Sequence, residues 1–268
     1  MVLEQLIDRK IVLRHVPFVF VLSAVYVLVA YAAQSLFFPG QSLATVLLLT
    51  ILLVPSLHHV IIIEEKIERT GASRFWKKHR TIIKCYIGAF LGILAGFLVL
   101  GFANAQTLEY QITQLKQDHL NPTAIENFAG KYFPEIKTAI AVFSHNVKYL
   151  LIGFLLSIFY GAGAAFLIVY NASLFAAFAI ELFARWAPAL QMAGISLLHL
   201  LPESAGFIMT AIAGATISRA ITHEQISGDA FRNVLRNCFI LLVLSLALIF
   251  LAALVETYVT APFFHKVI

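Results

Sequence analysis

The sequence predicts an all-α, polytopic transmembrane helical bundle of about six to seven spans, with a broken or re-entrant section near residues 171–203. Three observations carry this. Of the 268 residues 60% are hydrophobic and 12% charged, whereas soluble domains carry roughly 25% charged residues. Mean hydropathy is +0.88. Apolar runs of about 20 residues, the length that crosses a bilayer as a helix, recur along the chain.

The first run covers residues 16–38 and is followed by Pro-Gly-Gln-Ser at 39–42, with room only for a hairpin turn. The second covers 43–63. A charged stretch, EEKIERTGASRFWKKHR, separates it from the third, 82–103. A polar section at 104–147 divides this N-terminal membrane region, 1–103, from a C-terminal one, 148–268. Within that section Leu108, Ile112 and Leu115 recur at helical spacing, and Asn121 can cap a helix opening at Pro122. Short amphipathic helices on the outer surface are expected there. The fourth run covers 149–170. Residues 171–202 are apolar but interrupted by Glu181, Arg185, Pro188 and Pro202; 206–221 form a short clean span and 234–259 the last.

Positive charge decides the count. Let the N-terminus lie inside and the broken section cross once, as two half-helices around Pro188. Thirteen of the 19 Lys and Arg are then cytoplasmic: Arg9, Lys10 and Arg14, the seven from Lys66 to Lys84, and Arg219, Arg232 and Arg236. The expectation is a cell-membrane protein with seven crossings and its C-terminus outside. No small-residue cleavage site follows the first run, which is expected to stay as an anchor.

These basic residues sit at helix ends in short loops, not in a stripe interleaved with aromatics, so nucleic acid is not an expected partner. Cys85 and Cys238 fall in or beside apolar segments and read as free packing thiols. Glu-Glu-x-x-x-Arg and Phe-x-x-x-His, a pattern of intramembrane prenyl-protein proteases, both occur between residues 64 and 79. They share one hydrophilic loop, so no pair of spans could bring them together in a membrane cavity. Binding of anionic headgroups explains the basic part of that loop better. His58 and His59 are adjacent and point to different faces, and His223 lacks the second histidine of a zincin. No catalytic residue, metal or cofactor is expected.

Helices in lipid gain little from hydrophobicity against one another, so close contact depends on small residues. Gly88, Gly92 and Gly96 stand four apart in the third run; Gly161 and Gly163 lie in the fourth, and Gly206 and Gly214 further on. These are candidate helix-packing positions, serving the bundle itself, a homo-oligomer or other membrane proteins.

The candidate polar site is a set of ionisable groups inside apolar sequence. An ionised acid at the bilayer midplane costs about 2.5–3.5 kcal/mol even on the mildest scale, so Glu203 is expected to face the bundle interior, a cavity or an interface. His199 stands four residues before it, on the same helical face. Pro202 lacks an amide proton, which suits a helix ending near Leu201 and another starting at Pro202, with Glu203 in its first turn. A carboxylate bonded to His199 at such a corner is one role; a proton relay, ion site or hydrolytic centre is the other. Glu181 and Arg185 are spaced for a salt bridge and could join the same cluster across the break. Asn171 either caps the next helix or belongs to that cluster.

HLLPESAGFIMTAIAGATISRAI, residues 199–221, resembles the hallmark of the stage II sporulation protein M family, a His-x-x-x-Glu signature followed by an Ala-Gly-containing helix. His199, Glu203, Ala213 and Gly214 match it. The preceding segment is similar too, through Asn146, Gly153, Gly161, Gly163 and Asn171. The resemblance covers roughly residues 140–257, and the three N-terminal spans look similar to the family's archaeal branch. Leu200 stands where bacterial members usually carry glycine. The bacterial namesake is a scaffold for a peptidoglycan-degrading complex, which implies a membrane organiser without catalysis of its own.

The expected function is therefore a non-enzymatic integral membrane scaffold or organiser. The alternative is a permease or channel component that moves an ion or small solute through a site near His199 and Glu203. On the first reading, His199→Gln and Glu203→Gln chiefly lower stability. The second requires a cavity that reaches Glu203.

Overall fold

In hydrocarbon an apolar chain must satisfy its own backbone, and a helix does so within one segment. Side chains then sort by size, with small and polar ones turned inward. Val16–Phe37 (α1) shows the pattern. Val19, Ser23, Tyr26, Val27, Ala30 and Gln34 form one buried stripe, while Val21, Val25, Leu28 and Val29 are exposed.

The computed structural model describes residues 16–69, 75–118, 134–160, 162–185, 189–223 and 228–267, and among these every regular element is helical. After α1 come Ser42–Arg69 (α2) and Phe75–Ala103 (α3). A 3₁₀ turn, Ala105–Leu108, leads into the short Glu109–Asp118 (α4). Ile136–Tyr160 (α5), Gly163–Arg185 (α6), Ala189–His223 (α7) and Asp229–Val255 (α8) follow. A π turn at Glu256–Thr260 joins α8 to Ala261–Val267 (α9). Among the described residues six helices are long and apolar enough to cross a membrane, and α2 adds an apolar stretch over Ser42–Pro55. The all-α, multi-pass architecture is thus that of an integral membrane protein.

Three sequence expectations change. The fourth crossing is not 149–170: α5 begins at Ile136, inside the section read as a polar loop, and the chain turns before Gly163. Gly163 packs onto the Leu156–Ser157 backbone, where a Cβ has no room, so glycine permits this tight return. The section 171–202 is not a pair of half-helices crossing once. Its first part belongs to α6 and its second to α7, each long and apolar enough to span by itself. Nor does the helix stop at Leu201, since Pro202 lies within the 35-residue α7. Proline forfeits one ladder bond, but packing against neighbouring helices makes that loss tolerable in a membrane.

The layers follow from burial. In α6, 67% of the spanning window is inside the protein, against 17% in α5 and 28% in α1. The central post is therefore α6, with α2, α3, α4, α5 and α7 around it. Alanines 164, 165, 172, 176 and 177 cover its buried faces and let neighbouring backbones approach. The glycine ridge of α3 faces α1: a Cβ at Gly88 would meet Val16, at Gly92 the Phe20 backbone, at Gly96 Val27. Gly206 abuts Ile249 of α8, and Gly214 abuts Ser157 of α5. Gly161 lies outside the described residues. Cys85 and Cys238 are both buried and form no disulfide.

A polar knot ties α7 to α8. The Ser245 hydroxyl donates to the Gly206 carbonyl at 2.7 Å, and Thr210 Oγ1 lies 2.7 Å from Ser245 Oγ. With Ser245 donating to the carbonyl, the Thr210 proton points to Ser245. Ser245→Ala is expected to lower stability by about 0.5–1.5 kcal/mol, because it strands the buried Thr210 hydroxyl. Reversible unfolding in mixed micelles measures this.

Candidate functional site

α4 closes one end of the bundle. Leu108 of the 3₁₀ turn and Ile112 of α4 are buried, so this segment docks onto the bundle with its apolar face. Its Tyr110 amide donates to Ser42 Oγ at 2.9 Å, and Gln111 Nε2 donates to Ser173 Oγ at 3.3 Å, reaching α2 and α6. The cap expected at Asn121 lies outside the described residues. Lys116 pairs with Glu181 at 3.5 Å. Glu181 thus meets the end of α4 and is not among the residues that line the cavity with His199 and Glu203. The Arg185 side chain lies outside the described residues.

Beside α4 a cavity of about 460 Å³ runs into the bundle. Tyr110, Gln114, His145 and Asn146 form a polar part of its lining; Phe166, Phe175, Phe178 and Phe207 form aromatic wall. His199, Glu203, Asn171 and Glu256 all line it. The structure therefore brings together three of the five polar residues singled out from sequence. Asn171 sits within α6, not at a helix start, and donates from Nδ2 to the Leu167 carbonyl at 2.7 Å. It is a cavity residue and not a cap.

His199 does not hold a helix corner with Glu203. Its Nδ1 lies 3.0 Å from Thr260 Oγ1, and both residues are buried. That contact sets the level of α7 against the returning chain. One turn along α7 stands Glu203, and one turn back from Thr260 stands Glu256. Both glutamates line the same cavity. Both are half-buried, and among the described residues no hydrogen bond or ion pair reaches either carboxylate.

The π turn makes this alignment. Pro262 has no amide proton, and in a regular helix its ring would press on the carbonyl four residues earlier. The chain widens just upstream instead, and the Ala261 amide bonds to the Glu256 carbonyl, five residues back. Glu256 and Thr260 are the residues that sequence reasoning passed over. The available signal was an acid inside the last apolar run, followed by Thr260 and Pro262, since ionisable residues in a span are functional candidates by default. Among the described residues no group of three His, Cys, Asp or Glu side chains is placed to hold a metal.

Known proteins bear on this geometry in one way. The family described as Stage II sporulation protein M matches residues 85–261, a stretch that holds every cavity residue from α5 onward. No curated protein and no solved structure matches the chain. The match covers well over half of the sequence, and the chain belongs to the stage II sporulation protein M family.

Proposed function

We propose that this membrane protein is a permease or channel component that takes an ion or small solute into the cavity at Glu203, Glu256 and His199. One observation carries the reading: an open space is lined by two carboxylates that have no cationic partner among the described residues. An ionised carboxylate in a span is costly unless something compensates it. A bundle built only for rigidity would gain by filling the space with aliphatic side chains. The protein carries out no bond chemistry on this reading. It sits in the cell membrane with its N-terminus cytoplasmic and its C-terminus outside, which puts α4 and the polar part of the cavity on the outer side.

A second reading is favoured by family membership: a scaffold that organises other membrane proteins, as the family's bacterial namesake does. In this protein the Gly88, Gly92 and Gly96 ridge is taken up against α1, so partners would meet a lipid-facing aliphatic surface. Flux in proteoliposomes separates the two. Cation or solute uptake that falls at least about tenfold in Glu203→Gln supports the first. Uptake no faster than through protein-free vesicles, for every solute tried, leaves the scaffold.

A further inference from the structure

We propose that the ligand of this cavity is a lipophilic organic cation, an ammonium or phosphonium bearing aryl or alkyl groups, which enters sideways from the bilayer between α2 and α5. This rests on the reading of the cavity as a solute site and gives that solute a chemical class.

Charge comes first. Glu203 and Glu256 both line the space with no cation reaching them among the described residues, so in their ionised form they select for positive charge. The same carboxylates repel the phosphate of an ordinary lipid headgroup.

Size and walls decide what kind of cation fits. A volume of about 460 Å³ lies in the range, roughly 300–1,000 Å³, of sites that enclose organic ligands. A bare metal ion wants a tight cage of several oxygens. No group of three metal-ligating side chains is placed for one among the described residues. Phe166, Phe175, Phe178 and Phe207 line the space instead, and the faces of aromatic rings attract an organic cation.

His199 supplies an independent sign of a ligand. It is 7% exposed, its Nδ1 is engaged by Thr260, and the ring lines the cavity. Its other ring nitrogen, Nε2, has no partner among the described residues. That nitrogen is open to the cavity, where water or a ligand can bond to it.

The way in is read from residues with two faces. Leu47 of α2 and Ile152 and Leu156 of α5 line the cavity and are 49%, 55% and 37% exposed, so the space is open between these two helices. In a bilayer a gap between two spanning helices faces lipid. The mouth between these helices therefore opens to hydrocarbon, and a ligand that dissolves in the membrane reaches the carboxylates without first crossing water.

The test uses the full chain in lipid nanodiscs, with radiolabelled tetraphenylphosphonium as probe and triphenylphosphine oxide as an uncharged relative with similar aryl surface. Saturable binding of the cation is expected, weakened by about tenfold or more in both Glu203→Gln and Glu256→Gln. These swaps keep side-chain shape, and a monodisperse profile on size exclusion verifies that each variant is folded. Leu47→Trp at the mouth is expected to slow association. Equal binding of the neutral compound, or wild-type affinity in both carboxamide variants, overturns the proposal. Sodium or calcium flux that depends on Glu203, with no phosphonium bound, overturns the ligand class and leaves the solute-site reading standing. No binding and no flux of any probe removes both.

Discussion

Gly92→Leu is expected to leave no folded protein, and even Gly92→Ala to lower the unfolding midpoint sharply. The Cβ that alanine adds would run into the backbone of Phe20, not into a movable side chain. α1 and α3 can escape the clash only by separating along their whole contact, where Gly88 and Gly96 also lie close to α1. Overpacking costs typically about 1–3 kcal/mol when side chains yield, and a backbone obstacle places the alanine at or above the top of that range. Gly194→Ala is the matched control. Nothing lies within 4 Å of a Cβ there, and the position is inside helix α7. It is expected to be neutral or to stabilise by about 0.4–1 kcal/mol, through a less flexible unfolded chain. Thermal unfolding followed by fluorescence-detected size exclusion compares the two. If Gly92→Ala melts with the wild type, the close approach of α1 to α3 is wrong.

Glu203→Met is expected to raise the unfolding midpoint while abolishing cation uptake. Methionine keeps the length of the side chain and removes a charge that no described group compensates. Relieving an acid in a membrane is worth on the order of 2 kcal/mol. A gain in stability at the expense of activity marks a site kept for function. The scaffold reading predicts the reverse. If Glu203 braces the bundle, its replacement lowers the midpoint, and uptake is absent before and after. One variant therefore weighs both functions in a single pair of measurements.

Composition and run length told the fold class, because bilayer thickness imposes helix length whatever the details of packing. Boundaries were harder to read. Pro202 suggested a stop, yet α7 runs through it, since a membrane helix surrounded by others can spare one ladder bond. Gly161 and Gly163 look like a small-residue ridge inside a span, while the structure turns the chain just before Gly163. Local sequence cannot distinguish a glycine that admits a neighbouring helix from one that admits a turn. At the site, His199, Glu203 and Asn171 were legible as polar residues where polarity is expensive. Their partners were not. Thr260 lies sixty-one residues from His199 in sequence, and only the pairing of α7 with the returning chain reveals the contact. Glu181 was drawn into the same cluster by proximity in sequence, but it spends its charge on Lys116 of α4.

The wide turn at Glu256–Thr260 gives the site a sensitivity to length as distinct from chemistry. Upstream, Ser245 and Ile249 keep α8 in step with α7. In a regular α-helix, four further residues carry a side chain about 40° beyond its starting direction, enough for Thr260 to drift from the seam that Glu256 occupies. The extra residue in the π turn takes up that drift, as a leap day restores a calendar to the season. Losing one residue there would rotate the end of the chain against the cavity while leaving every side chain of the site in the sequence. Relatives of this protein are therefore better compared by the spacing from Ser245 to Pro262 than by the identities of the residues in between.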